Sequence, residues 1–194
     1  MVSQTSEPRL QTLFKEEIAP KMREKFSLKN VNALPKLEKI IVNVGIGKML
    51  ENQKLKPDIR DTVISTLTTI TGQKPIMILA KKSVSNFKVR EGAPSAFMVT
   101  LRRDRMWHFL DRLSNLVTPR IKDFRGLNRK SFDKEGNFSM GLTEQAVWPE
   151  INMSSVTFNH GMNINIVILR SGQEKSTFML KALGMPLAQE GADR

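Results

Sequence analysis

Over residues 37–46 the chain alternates at period two, with Ile40, Val42, Val44 and Ile46 on one side and Lys39, Ile41, Asn43 and Gly45 on the other. Successive side chains of a strand point to opposite faces, so this run buries one face and leaves the other to an amine and an amide. The same pattern recurs along the chain. Residues 75–80, 84–89, 95–102 and 162–170 all read as strands. In the third of these, Phe97, Val99 and Leu101 share a face, leaving Ala96, Met98, Thr100 and Arg102 on the other. In the fourth, Ile164, Ile166 and Ile168 point to the core. Strands outnumber helices, and several follow one another with no helix between. That order predicts an α+β fold: a mainly antiparallel sheet with helices packed on one face and an open side.

The helices are marked by their ends. Ser6 or Glu7 with Pro8 opens an amphipathic helix carrying Leu10, Leu13, Phe14 and Ile18, and Pro20 interrupts or kinks it before Met22 and Phe26. A second starts near Pro57-Asp58, buries Ile59, Val63, Leu67 and Ile70, and stops at Gly72, a left-handed cap. Asp104 caps a third that runs to Val117 and ends at Thr118-Pro119, with Met106, Phe109, Leu110, Leu113 and Val117 inward and Arg105, His108 and Arg112 outward. Ser171 and Glu174 form a capping box for a last helix that holds Phe178 and Ala182 and ends at Gly184. Residues 120–140, rich in Gly, Asn and cations, read as a long irregular loop. At 194 residues and 40% hydrophobic content the expectation is one domain, residues 1–186, with a short flexible tail at 187–194.

Charge then says what the open side faces. Of the 31 basic residues, 14 lie between Lys74 and Lys130 with only four acids, a local charge of +10 within a chain total of +12. A solvated surface needs only mixed charge, and phosphate is the commonest reason to concentrate Lys and Arg, because each neutralised phosphate releases counterions. An anionic membrane surface attracts the same patch, and chance clustering stays open at this point. Beside this segment, the outward positions Lys39, Asn43, Thr100 and Arg102 read as an RNA platform.

Other chemistries find little support. Gly45-Ile46-Gly47-Lys48 follows a strand, but Leu50 stands where a dinucleotide fingerprint wants Gly, and a phosphate loop needs Gly at Val42 and Ser or Thr at Met49. The segment reads as a tight strand exit. The two histidines, His108 and His160, lie far apart, and with no cysteine they make no metal spacing and read as surface residues. Acids are too scarce in the basic window for a paired-carboxylate nuclease centre. No cofactor and no metal is expected. The chain has no tyrosine and lacks the aromatic motif with which common RNA-recognition sheets stack bases, so amides, hydroxyls and cations must act on shape and backbone. Phe87, between Lys82 and Lys88, either stacks on a nucleotide or is core, and pattern leaves that open. Residues 1–10 contain Glu7 and Pro8 and no apolar core segment, so neither a secretory signal nor a transit peptide is expected. The nearly apolar run 164–169 is far below the roughly 20 residues of a membrane span. A soluble cytoplasmic protein is the expectation.

Several segments together carry a family resemblance. Gly72-Gln73-Lys74-Pro75, Ala80-Lys81-Lys82-Ser83-Val84 and Phe87-Lys88-Val89-Arg90 come first. Val99-Thr100-Leu101-Arg102, Arg105-Met106-Trp107 and the run from Pro119 through Ile121, Lys122, Asp123 and Phe124 to Leu127 follow. Ser131-Phe132-Asp133, Gly136-Asn137-Phe138-Ser139-Met140-Gly141 and Pro149-Glu150-Ile151 complete the series. In this order they resemble the bacterial large-subunit ribosomal protein L-five family over residues 10–186. The resemblance implies a non-catalytic protein of the central protuberance that binds 5S rRNA, touches the elbow of the peptidyl-site tRNA and bridges to small-subunit protein S-thirteen. Large-subunit rRNA and neighbouring 5S-associated ribosomal proteins are implied as further partners, with no membrane. By position, the family's 5S rRNA contacts fall on Lys39, Asn43, Gln73 and Thr100. Its tRNA-contacting loop falls on Lys82, Ser83, Val84, Ser85, Asn86, Phe87, Lys88, Val89 and Arg90. Lys81, Arg102, Arg103, Arg120 and Arg125 are expected to meet rRNA phosphates. Departures from the family pattern are local: a longer 49–57 segment, Pro20 within the first helix, Asn163 in place of the usual Asp, and the tail from Leu187 onward. An RNA-acting enzyme or free RNA chaperone is the competing class, and co-sedimentation with large subunits after a high-salt wash separates the two.

Overall fold

Period-two alternation makes a sheet, and the order of its strands sets which residues become neighbours. The computed structural model describes residues 7–50, 54–87, 89–122, 124–152, 156 and 158–188, leaving aside the side chain of Lys48. Five strands, β1 (Lys36–Gly45), β2 (Ile76–Leu79), β3 (Pro94–Leu101), β4 (Phe138–Leu142) and β5 (Met162–Leu169), form one antiparallel sheet in the order β2-β3-β1-β5-β4. With the helices this is the expected α+β fold. The chain divides into two compact units, the boundaries falling within strands β1, β3, β4 and β5: residues 1–40, 101–140 and 165–194 form one, and residues 41–100 and 141–164 the other.

In the second unit, Val42, Val44 and Ile46 are fully buried while Ile41 and Asn43, which alternate with them, are half-exposed. Helix α3 (Pro57–Thr71) follows the sequence reading closely. Pro57 stands in its first turn, Val63, Leu67 and Ile70 are buried, and Gly72 closes it at φ +67°, a conformation costly to any residue with a Cβ. Ile59 is only half-buried.

In the first unit, α1 (Arg9–Leu13) runs through a π-helical turn, Phe14–Ile18, into α2 (Ala19–Lys25). Pro20 therefore does not interrupt the helix. A proline lacks the N–H of the ladder and its ring crowds the carbonyl four residues back. Widening the preceding turn relieves that crowding, with Ala19 N–H donating to Phe14 O. The same device recurs in α4 (Arg103–Arg112), which passes into a π turn, Leu113–Val117, just ahead of Pro119, with Thr118 N–H donating to Leu113 O. Arg9 donates two hydrogen bonds to the Asp111 carboxylate, at 3.2 and 2.5 Å, joining the first helix to α4. Phe14 packs on Trp107 at 5.8 Å between ring centroids, and Phe26 meets Phe178 of α5 (Gln173–Ala182) edge-on at 5.9 Å.

Four local expectations change. Residues 84–89 are no strand: Val84 and Val89 bridge each other across a 3-10 turn, Ser85–Phe87. Residues 120–140 are not wholly loop, since β4 begins at Phe138. Asp104 lies within the first turn of α4, whose cap position is Arg102. The capping box at α5 does not form, because Gly172 takes the cap position and Ser171 Oγ turns instead to Gly172 O and Ser176 Oγ. Of the residues beyond Pro186, Leu187 bridges Leu127 and Ala188 N–H donates to Leu127 O. Ser6 and residues 51–53 and 189–194 lie outside the described residues.

Candidate nucleic-acid interface

Strand geometry brings the predicted residues to one side of β1 and β3. Asn43 and Thr100 are half-exposed between fully buried neighbours, and Lys39, four residues before Asn43 on β1, occupies the same face of its strand. Gln73 reaches this side from just beyond the Gly72 cap. Its backbone is held by the Thr71 hydroxyl, which donates to Leu67 O and Gln73 O, and its side-chain amide donates to Thr100 O at 3.4 Å. Asn43 Oδ1 has no hydrogen-bond partner among the described residues. That oxygen is itself buried, and a buried amide oxygen left without a donor is costly unless water or a ligand supplies one. The period-two pattern of β5 contains two further outward amides, Asn163 and Asn165, whose value as candidates the alternation around Ile164 and Ile166 makes readable. Only the first was singled out in the sequence, as a departure from the family pattern.

The segment 80–93 is a closed loop. Ala80 N–H donates to Ala93 O and Gly92 N–H to Ala80 O at its base, Val84 and Val89 exchange hydrogen bonds near its tip, and Glu91 N–H donates to Ser83 Oγ. Gly92 sits at φ +79°, which allows the tight exit. Lys81, Lys82, Ser83, Ser85, Asn86 and Arg90 are exposed, and Lys88 lies outside the described residues. Phe87 is 78% exposed, which removes the reading of it as core.

A second group of cations belongs to the other unit. Arg102 and Arg103 lie at the turn from β3 into α4, where Arg103 adopts φ +53°, a strained backbone for a side chain of its size. Both are exposed, as are Arg105, Arg120 and Arg125.

His160 departs from its expected place at the surface. It is buried, and Gln145, itself fully buried, holds the chain leading into it: Gln145 Nε2 donates to Phe158 O and Gln145 Oε1 accepts from His160 N–H. Burial pushes the His160 ring below the usual histidine range, only partly offset by its contact with Gly161 O at 3.3 Å. Among the described residues no group of three or more His, Asp or Glu side chains is placed to hold a metal ion, and no helix is long and apolar enough to cross a membrane.

An antiparallel sheet with half-exposed amides and a hydroxyl on one side, together with helices, defines an α+β protein, and exposed cations mark its 80–93 loop and the start of α4. Comparison with known proteins narrows that class. Residues 30–90 match the family described as Ribosomal protein L5, and residues 94–187 match the model of the C-terminus of that same ribosomal family. The chain is similar to the large ribosomal subunit protein uL5 of Synechocystis, 46% identical over 178 residues, which is 92% of this chain and 97% of the relative. It is similar also to uL5 of Clostridium tetani, 46% identical over 181 residues (93% and 98%), and of Bdellovibrio bacteriovorus, 47% identical over 178 (92% and 97%). The chain belongs to the ribosomal protein L5 family, which is not an enzyme class.

Proposed function

We propose that this protein is a ribosome-bound constituent of the large subunit that grips 5S rRNA through the open side of its sheet. The reading rests above all on Asn43, whose side-chain oxygen lacks a partner among the described residues, while Gln73, just past α3, donates to the Thr100 carbonyl on β3. Lys39, Asn43, Gln73 and Thr100 then supply one amine, two amides and a hydroxyl, groups that meet sugar hydroxyls, base edges and phosphates of a folded RNA without base stacking. Lys81, Arg102, Arg103, Arg120 and Arg125 neutralise rRNA phosphates. The loop from Lys82 through Ser83, Val84, Ser85, Asn86, Phe87, Lys88 and Val89 to Arg90 touches the peptidyl-site tRNA by backbone charge and one stacking surface. That contact is independent of sequence, as every elongator tRNA must be accepted at the same place. Large-subunit rRNA, 5S-associated proteins and, across the subunit interface, small-subunit protein S-thirteen complete the set of partners. No step of chemistry is assigned to the protein.

The test is a titration of 5S rRNA with Asn43→Ala, Thr100→Ala and the double variant. Each change removes a polar group without opening a core cavity, and each is expected to cost about 1–2 kcal/mol of affinity. Thermal stability should stay level, or rise for Asn43→Ala, since an unsatisfied buried oxygen is removed. Unchanged affinity in the double variant would refute the sheet-face assignment.

A further inference from the structure

Among the described residues eight large apolar side chains stand exposed, and five of them fall between residues 76 and 87: Ile76 (59%), Met77 (46%), Leu79 (46%), Val84 (41%) and Phe87. The first three belong to β2, the edge of the sheet. Its inner side pairs with β3, and no described strand lies on its outer side. Ile76 opposes Met98 and Ile78 opposes Ala96, so these side chains point one way, while Met77, opposite Phe97, points the other. The strand is thus apolar on both faces and fully covered on neither. Its outer row of backbone N–H and C=O groups is a template for another strand.

Soluble proteins usually blunt such an edge with a charge, a proline or a bulge inside the strand. Here β2 reads Ile-Met-Ile-Leu with no charge or proline within it; Pro75 stands just before it, and a register irregularity falls at its end, between Ile78 and Leu79, so Ile76–Ile78 keep a regular ladder. Charge is placed at its ends instead: Lys74 precedes it, Lys81 and Lys82 follow, and no acid occurs between Asp61 and Glu91. This arrangement selects among occupants. A second copy paired edge to edge about a twofold axis would bring Lys74 of each toward Lys81 and Lys82 of the other, and like charges oppose that pairing. An RNA strand would meet cations at the ends but only hydrocarbon between them. An extended polypeptide with apolar residues in the middle and acids at its ends satisfies the ladder, the apolar side chains and the lysines together.

We propose that β2 is a docking edge for an extended acidic segment of a partner protein, which adds a sixth strand beside Ile76–Leu79. The inference goes beyond the RNA contacts assigned above, uses none of the sheet-face residues and shares only Lys81 and Lys82 with those contacts. The test places a photo-crosslinking amino acid at Met77 or at Leu79 of the full chain in cells, with Ser65 on α3 as the control. Crosslinks are mapped by mass spectrometry in both the large-subunit fraction and the free fraction. Absence of the protein from the subunit fraction would count against the ribosomal reading alone, since the edge is scored wherever the protein resides. The expected result is attachment of both β2 probes, and not the Ser65 probe, to one protein segment of net negative charge. Adding Met77→Lys should lower the yield from Leu79 about tenfold, because a lysine on the strand is the usual block to pairing, while 5S rRNA binding stays unchanged. Crosslinks to rRNA, to a second copy or to a neutral or basic segment, or none at all, would overturn the proposal.

Discussion

Gly136 carries the sharpest prediction about the fold. It lies in a turn where Asp133 accepts from Asn137 with both carboxylate oxygens, at 2.7 and 2.8 Å, and Asn137 Oδ1 accepts from Ile168 N–H on β5 at 3.0 Å. At φ +86° an alanine here meets a backbone penalty of about 1–2 kcal/mol. Its Cβ would also stand 2.5 Å from Ser176 Oγ and 2.9 Å from Gly172 O at the start of α5. The hydroxyl is tied to Ser171 Oγ at 2.7 Å and the carbonyl is backbone, so relief requires the turn or the helix start to move, at about 1–3 kcal/mol for such overpacking. Gly136→Ala should therefore lose about 2–5 kcal/mol by urea unfolding followed by circular dichroism, and about 5–15 °C in melting temperature. Gly47→Ala is the control: nothing lies within 4 Å of its added Cβ and its backbone needs no left-handed region, so its stability should be level or up to about 1 kcal/mol higher. A loss below about 0.5 kcal/mol for Gly136→Ala would refute the close-approach argument.

Asp111 is held below the usual carboxylate value of 3.8 chiefly by its hydrogen bond from Arg9. Its contribution is complete above that value and is lost as pH falls through its folded pKa. Asp111→Ala should accordingly cost about 0.5–1 kcal/mol near neutrality, and the difference from the parent should shrink as pH falls below 3.8 in urea titrations. His160 is shifted the same way for a different reason, since burial disfavours its cation. Stability should fall as pH drops from the ordinary histidine value of 6.5 through the lower folded value, and His160→Gln should flatten that limb of a stability-versus-pH curve. Phe87→Ala, at an exposed loop tip, should leave the melt within about 0.5 kcal/mol and 5S rRNA binding intact. On ribosomes the same variant should release peptidyl-site tRNA faster, by the roughly 1–3 kcal/mol of one stacking contact, and an unchanged dissociation rate would dismiss the loop assignment.

Sequence legibility followed the range of the forces involved. β1 and α3 were readable because alternation and a glycine cap are local signals, and Lys39, Asn43 and Thr100 became visible as the outward half of the alternation. Gln73 could be placed only by resemblance, since its bond to Thr100 O joins residues 27 apart. β4 was hidden because Phe138–Leu142 carries Ser and Gly, poor strand formers, beside a polar loop. Val84 and Val89 looked like a strand since both are β-branched, yet they pair with each other rather than with the sheet. The burial of His160 depends on Gln145, 15 residues earlier, and no spacing announces that.

The two π turns carry a lesson about reading helices. Leu10, Phe14, Ile18 and Met22 recur every four residues, as do Phe109, Leu113 and Val117. At about 3.6 residues per turn, each four-residue step swings a side chain by about 40°, so such a series should spiral off the core within three steps. Yet Leu10, Ile18 and Met22 are all buried, and so are Phe109, Leu113 and Val117. The widened turn takes up the accumulated angle. An unbroken four-residue apolar series whose last members flank a proline is thus a phase mark, locating an inserted residue in the helix. Deleting one residue inside either turn should restore a regular α-helix while keeping the buried residues on both sides of it aligned.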